Sequence, residues 1–111
     1  MNLSEQTVIE QIWEQISRAK VLLADLTGKN ANVFYELGLA HAANKPVVFT
    51  TGQLEDVPFD LRHLRVAIYD VRDPAWGDKL KVSLATYLRA AKAEPAKSVP
   101  QPFRKQLALV E

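Results

Sequence analysis

The chain has 111 residues, of which 48% are hydrophobic and 24% charged, so it is long enough for one hydrophobic core and too short for two. Fourteen Lys and Arg side chains nearly balance thirteen Asp and Glu side chains, so whole-chain charge gives no argument for nucleic acid or an anionic membrane as a partner. The chain has no cysteine, which excludes disulfides and thiolate metal sites. We therefore expect one soluble domain with no nucleic-acid or membrane partner.

The N-terminal stretch does not resemble a signal peptide, because it carries Glu5, Glu10 and Glu14 and has no uninterrupted apolar run. The longest apolar runs are far shorter than a bilayer requires. We expect a cytoplasmic protein. Charge is uneven along the chain: residues 78–111 carry seven Lys or Arg against three Asp or Glu, which makes this end mildly basic.

Residues 4–19 carry two helix start signals, Ser4 and the capping box formed by Thr7 and Glu10. The apolar residues that follow at helical spacing are Val8, Ile9, Ile12, Trp13, Ile16 and Ala19. We expect this face, including the tryptophan, to pack against a core.

Residues 21–24 form a continuous apolar run closed by Asp25, which predicts a strand covered on both faces. A polar turn at 27–30 leads into a second helix, which should end before Pro46 because the residue preceding a proline avoids the α region. Residues 47–51 then predict the next strand. Together these segments form a βαβ unit.

Residues 52–64 predict a loop with one helical turn at 60–63, residues 64–70 a third strand, and residues 78–93 a closing helix. We therefore expect a single α/β domain at 1–93 with a flavodoxin-like, truncated sheet of about three parallel strands flanked by helices. Residues 94–111 follow as a proline-rich linker or extended arm, whose last eight residues form a short docking helix or are disordered.

The first predicted strand carries no lysine or proline to protect an exposed edge, so we expect a partner strand beside it. A second copy pairing at residues 21–24 would give a homodimer, which is the assembly we favour. The alternatives are a βα segment that precedes this region in longer relatives, or a loop or the C-terminal arm covering the edge.

The strongest candidate site lies where the first strand enters the second helix, since open α/β sheets bind ligands at the carboxyl ends of their strands. Asp25 ends the strand, and Asn30 or Asn32 can cap the helix. Glu36 lies one helical turn beyond Asn32. The carboxylates of Asp25 and Glu36 are therefore expected near one crevice, an arrangement suited to cleavage of a glycosidic bond.

A structural alternative exists for each of these residues. Asp25 then binds only the amides of its own turn, while Thr27, Asn30 and Asn32 serve as turn and capping residues. Glu36 fits this alternative less well, because an acid beyond the first helical turn gains little from the helix dipole.

Two segments carry a resemblance to a known family. Residues 24–42, ADLTGKNANVFYELGLAHA, followed by KPVV at 45–48, resemble the core motif of the nucleoside 2-deoxyribosyltransferase-like group and of the TIR-like nucleotide-binding domains. Residues 58–65, PFDLRHLR, resemble a segment common among TIR-like bacterial proteins. The resemblance covers about residues 8–70, and its first motif is long enough to be fairly specific.

The resemblance implies a flavodoxin-like fold whose active members break or transfer N-glycosidic bonds of nucleosides, nucleotides or NAD. It assigns the catalytic carboxylate to Glu36 and a ribose or base contact to Asp25. Family members also have a first strand and loop that bind sugar or phosphate, whereas here nothing precedes the helix at residue 4. That half of the pocket is then missing, or a second subunit supplies it.

The expected substrate-binding residues are Thr27, Asn30, Asn32, Tyr35 and Arg62. Arg62 can clamp a phosphate bidentately. The alternative is that Arg62 and Arg65 pair with acids such as Asp56, Asp60 or Asp70.

The sequence favours no metal and no cofactor. His41 and His63 are too few for a zinc site, and we expect His41 on a helix surface. There is no Walker loop and no dinucleotide glycine fingerprint. Three functions stay open: an N-glycosidic enzyme with Glu36 as nucleophile or oxocarbenium stabiliser and Asp25 assisting, a non-catalytic module that binds a nucleotide or another protein, and a purely structural protein.

Overall fold

The computed structural model describes residues 7–101 and 103. Three parallel strands lie in the spatial order β1 (Leu22–Asp25), β2 (Val47–Thr51) and β3 (Val66–Ile68). The helices are α1 (Val8–Arg18), α2 (Ala31–Ala42) and α3 (Trp76–Ala93). The predicted α/β class is confirmed, and the sheet is consistent with part of a flavodoxin-like arrangement.

β2 is the central strand, and all five of its residues are buried. Asp25 of β1 aligns with Thr50 of β2, which in turn aligns with Ala67 of β3. This register brings the carboxyl ends of the three strands to one edge of the sheet. Two short 3-10 turns, Leu54–Asp56 and Phe59–Leu61, lie in the link between β2 and β3, where the sequence predicted a single helical turn.

The main core lies between α1, α2 and one face of the sheet. Phe49 of β2 is fully buried there beside Leu37 of α2 and Ile16 of α1. α3 contacts β2 and β3 and contributes nothing to this cluster, so it covers the opposite face, where Val48 and Ala67 are buried. Burial on both faces explains the continuous apolar run of β2. The prediction that β1 is covered on both faces was wrong, because α3 packs on β2 and β3 and leaves Leu23 of β1 52% exposed.

α1 begins with the predicted capping box: the Thr7 hydroxyl accepts from the Glu10 N–H, and the Glu10 carboxylate accepts from the Thr7 N–H. The prediction that its whole apolar face packs was wrong. Ile16 is buried, but Trp13 is 47% exposed, and Val8 and Ile9 are also exposed. α1 packs beside α2, which covers only part of the apolar stripe.

The segment after α3 is packed against the domain in its described part. Ser98 and Val99 are fully buried, and Arg65 donates from Nη1 to Ser98 Oγ at 2.7 Å. Phe103 lies 6.0 Å from His41 between ring centroids. The predicted start at Ser4 and the expectations for residues 104–111 lie outside the described residues.

β1 forms one edge of the sheet, and in the described part of the chain its outer side has no partner strand. Leu23, in the middle of β1, is 52% exposed. The described part of the arm contacts Arg65 and His41. Within residues 7–101 and 103, no helix combines the length and apolar character that a bilayer crossing needs.

Candidate functional site

A cleft of about 680 Å³ opens at the carboxyl ends of the strands. Its size falls within the range usual for small-molecule sites, roughly 300–1,000 Å³. The residues that line it are Thr27, Gly52, Gln53, Ile68, Tyr69, Asp70, Val71 and Arg72. They lie at or just after the carboxyl ends of β1, β2 and β3, so all three strands contribute to one site.

Asp25 lies beside this cleft and accepts three hydrogen bonds from neighbouring residues. Its Oδ1 accepts from the Thr27 backbone N–H at 3.0 Å, and its Oδ2 accepts from the hydroxyls of Thr50 at 2.7 Å and Tyr69 at 2.9 Å. Both carboxylate oxygens are therefore engaged by the protein. The structural alternative, in which Asp25 binds the amide of its own turn, accounts for one of these three bonds.

Opposing effects act on the pKa of Asp25. Partial burial raises the pKa, but the hydrogen bonds from Thr50, Thr27 and Tyr69 together outweigh it and hold the pKa below its usual value. Asp25 is thus ionised at neutral pH, and its charge fixes the orientation of the Tyr69 hydroxyl. A permanently ionised and fully engaged carboxylate suits a positioning role.

Thr27 connects the turn after β1 to the other two strands. Its hydroxyl accepts from the Gly52 N–H at 2.8 Å and lies 3.1 Å from the Tyr69 hydroxyl. Tyr69 gives its hydroxyl proton to Asp25, which leaves the Tyr69 oxygen as an acceptor facing the Thr27 hydroxyl. The resulting chain of bonds fixes the Tyr69 ring at the cleft.

The cleft combines one aromatic ring, that of Tyr69, with apolar side chains, and Trp76 packs against this ring without lining the cleft. The rings of Tyr69 and Trp76 lie 5.8 Å apart at an interplanar angle of 33°. Ile68 and Val71 are both more than half exposed although they are apolar. Such a surface next to hydrogen-bonding groups can stack a planar ring and bind hydroxyls beside it.

Arg72 forms a fork with Asp70 at the rim of the cleft. Its Nε donates to Oδ1 at 3.0 Å and its Nη2 to Oδ2 at 3.1 Å, while the Arg72 backbone N–H also donates to Oδ1. The bonds from Arg72 lower the pKa of Asp70. The pair is bidentate and lies at the surface, since the side chains of Arg72 and Asp70 are 88% and 54% exposed.

The turn between β1 and α2 is fixed by local geometry. Gly28 has φ +81°, a conformation that glycine adopts without steric cost, and its N–H donates to Asp56 Oδ2 at 2.8 Å. Asn30 is the N-cap of α2, since its Oδ1 accepts from the N–H groups of Asn32 at 2.9 Å and Val33 at 3.4 Å. Asn30 therefore has a structural role, as the alternative interpretation allowed.

Glu36 lies in a different place from Asp25. It lines a groove of about 360 Å³ with Asn32 and Tyr35 of α2 and the apolar residues Val8, Ile9 and Ile12 of α1. Neither Glu36, Asn32 nor Tyr35 lines the carboxyl-end cleft. The structure thus joins Asp25 and Thr27 to one site but does not bring Glu36 into it.

Arg62 is also away from the carboxyl-end cleft. Its Nε donates to the Val57 carbonyl at 3.1 Å, and its guanidinium lies 5.8 Å from the centre of the Phe59 ring. Arg65 donates to Ser98. Neither arginine forms one of the ion pairs with Asp56, Asp60 or Asp70 that the alternative interpretation expected within the described residues.

His41 is buried, with 5% of its surface exposed, so the prediction of a surface histidine was wrong. It lies on the inner side of α2, where its ring meets Phe49 edge-on at 6.2 Å. Burial lowers the pKa of His41 to about 4. No group of three or more His, Asp or Glu side chains that could hold a metal ion occurs among the residues that the structure describes.

Sequence reasoning missed Tyr69, Asp70 and Arg72. The signal was available, because Tyr69 and Asp70 end the third predicted strand just as Asp25 ends the first. Parallel pairing brings the carboxyl ends of all three strands together, so residues 69–72 lie at the same edge of the sheet as Asp25.

Comparisons with protein-family models, with curated proteins and with solved structures gave no match. Functional inference for this chain therefore rests on the geometry of its cleft and on the residues that carry the resemblance.

Proposed function

We propose that this chain is a nucleoside- or nucleotide-binding domain, with NAD among the possible ligands, and that the ligand occupies the carboxyl-end cleft. The observation that carries the proposal is the Tyr69 ring, which lines the cleft and packs against Trp76, beside the hydrogen-bonded cluster of Asp25, Thr27 and Tyr69. A base can stack on the ring surface while its sugar meets the polar cluster. The resemblance of residues 24–42 supports the same ligand class.

Binding without turnover is the form of the proposal that the geometry favours. Cleavage of a glycosidic bond uses two carboxylates on either side of the bond that breaks. Asp25 is engaged by three donors, and Glu36 lines the groove between α1 and α2 instead of the cleft. An N-glycosidase or deoxyribosyltransferase with Glu36 as its catalytic carboxylate is the second candidate, carried by the resemblance alone.

A ligand titration with matched variants tests the proposal. Nucleosides, their 5′-monophosphates and NAD are titrated into the wild type, Val71→Glu and Val82→Glu, with binding followed by NMR. Both valines are exposed, but only Val71 lines the cleft. We expect binding to the wild type and to Val82→Glu, and a loss of at least about tenfold in Val71→Glu, because its carboxylate would enter an apolar surface. Absence of binding by the whole panel would refute the proposal.

Catalysis is tested separately by incubating the same ligands with the protein and measuring released base by chromatography. We expect no release from the wild type. Base release that Glu36→Gln abolishes would instead establish the enzyme and would place the reacting bond in the groove between α1 and α2.

A further inference from the structure

The charged groups of the carboxyl-end cleft are paired with one another. Among the residues that line it, Arg72 is the one cation and Asp70 the one acid, and they form the bidentate fork. The fork engages Nε and Nη2 of the guanidinium, the same kind of paired donors that would hold a phosphate. A phosphate that approached this edge of the guanidinium would therefore have to displace Asp70, and a phosphate at the other edge, formed by Nη1 and Nη2, would lie beside the Asp70 charge.

The charges near the cleft also disfavour the binding of a phosphate. Asp25 is ionised beneath Tyr69, and Asp73, close after Arg72 in the chain, is paired with Lys79. The cations that gather in another cleft, Arg18, Lys20, Lys45 and Lys92, lie with Ala19 and Pro46 near the amino ends of β1 and β2. A phosphate in the carboxyl-end cleft would thus lie near carboxylates. The one cation among the residues that line this cleft, Arg72, is already paired with Asp70.

We propose that the carboxyl-end cleft selects nucleosides without a phosphate group, and that Asp70 sets this selection by occupying Arg72. This inference rests on the proposed function. An uncharged nucleoside needs neither the guanidinium nor the removal of Asp70, since its base and hydroxyls meet Tyr69, Thr27 and the apolar side chains. A nucleoside monophosphate brings negative charge toward Asp70 and competes with it for the same donors.

The test compares dissociation constants for a nucleoside and its 5′-monophosphate, measured by calorimetry on the wild type, Asp70→Asn and Asp73→Asn. The asparagine at position 70 keeps an oxygen for the Arg72 backbone N–H but loses the charge that holds the guanidinium. Asp73→Asn makes the same change of charge at a carboxylate that pairs with Lys79 instead.

We expect the wild type to bind the nucleoside about tenfold or more tightly than the monophosphate, and Asp70→Asn to shrink or reverse this ratio. Asp73→Asn should preserve the wild-type ratio. The inference is overturned if the wild type prefers the monophosphate, or if Asp70→Asn leaves the ratio unchanged; in both cases the proposed function stands because a ligand binds. If neither ligand binds the wild type, the proposed function itself fails and the inference with it.

Discussion

His41 shows how one buried side chain can couple the stability of this domain to pH. Its Nε2 is buried without a hydrogen-bond partner among the described residues, and its ring lies between Phe49 and Phe103. Burial lowers its pKa to about 4, against about 6.5 for an unfolded histidine. Between about pH 6.5 and pH 4, His41 is protonated in the unfolded chain but stays neutral in the folded chain. The folded state therefore loses stability as the pH falls from about 6.5 toward 4.

Replacement of His41 by Phe should remove this dependence while keeping both ring contacts. We expect the free energy of unfolding of His41→Phe to rise relative to the wild type by about 1–2 kcal/mol between pH 7 and pH 5. Urea denaturation at the two pH values measures this difference. His63→Gln, at an exposed position, is the control and should follow the wild type. Parallel pH profiles for the wild type and His41→Phe would contradict the prediction.

At the scale of the element, α2 depends on the cap at Asn30. That side chain satisfies two of the free N–H groups at the helix start, whereas Asn32 is an exposed residue within the first turn. We expect Asn30→Ala to lower the free energy of unfolding by about 1 kcal/mol. The same change at Asn32 should stay within about 0.5 kcal/mol of the wild type. Equal losses in chemical denaturation of the two variants would show that Asn30 does not act as the cap.

The elements themselves differ in how well sequence predicted them. The bounds of β2, Val47–Thr51, follow from the sequence because the strand is apolar, central and preceded by a proline. β3 has three residues where seven were predicted, and it ends at Ile68 because its pairing partner β2 ends at Thr51. Alternating apolar residues indicate a strand, but the length of its hydrogen-bonded part is set by the neighbouring strand.

Dependence on neighbouring segments also explains why the exposure of Trp13 in α1, the burial of His41 in α2 and the position of Glu36 were not predicted. A helical pattern predicts which side of a helix is apolar, but the packing of the neighbouring segments decides how much of that side is buried. Trp13 of α1 is therefore exposed, whereas His41 of α2 is buried beside Phe103. Asp25 was predicted because it ends a clear strand, and Thr27 because it lies in the polar turn that follows. The position of Glu36 depends on how α1 and α2 pack, which spacing within one helix does not fix.

At the scale of the whole molecule, the sheet has opposite charges at its two ends. Arg18, Lys20, Lys45 and Lys92 line the cleft near the amino ends of β1 and β2. Asp25 and Asp70 lie at the carboxyl ends with Asp56 of the adjoining loop, and these three acids outnumber Arg72, the cation that pairs with Asp70. If two copies lie side by side with antiparallel β1 strands, the basic end of each meets the acidic end of the other. A parallel arrangement would place like charges together.

The backbone of β1 is arranged for such a pairing. Leu22 and Leu26 donate their N–H groups to Pro46 and Thr50 of the β2 segment. Because backbone groups alternate in direction along a strand, the N–H and C=O of Leu23 face the open edge. A symmetry axis beside Leu23 would let two copies exchange a pair of N–H···O=C bonds across their exposed leucines. We therefore propose that the protein forms a homodimer through β1.

Lysine at an edge strand opposes pairing, because its charge would be buried in the new contact. We expect sedimentation equilibrium to give a dimer for the wild type and a monomer for Leu23→Lys. Ile68→Lys is the matched control, since Ile68 lies on β3, at the opposite edge of the sheet, and is similarly exposed. It should remain dimeric. A monomeric wild type would contradict the proposed dimer. A wild-type dimer that Ile68→Lys dissociates and Leu23→Lys does not would show that the contact lies at the β3 edge instead of at β1.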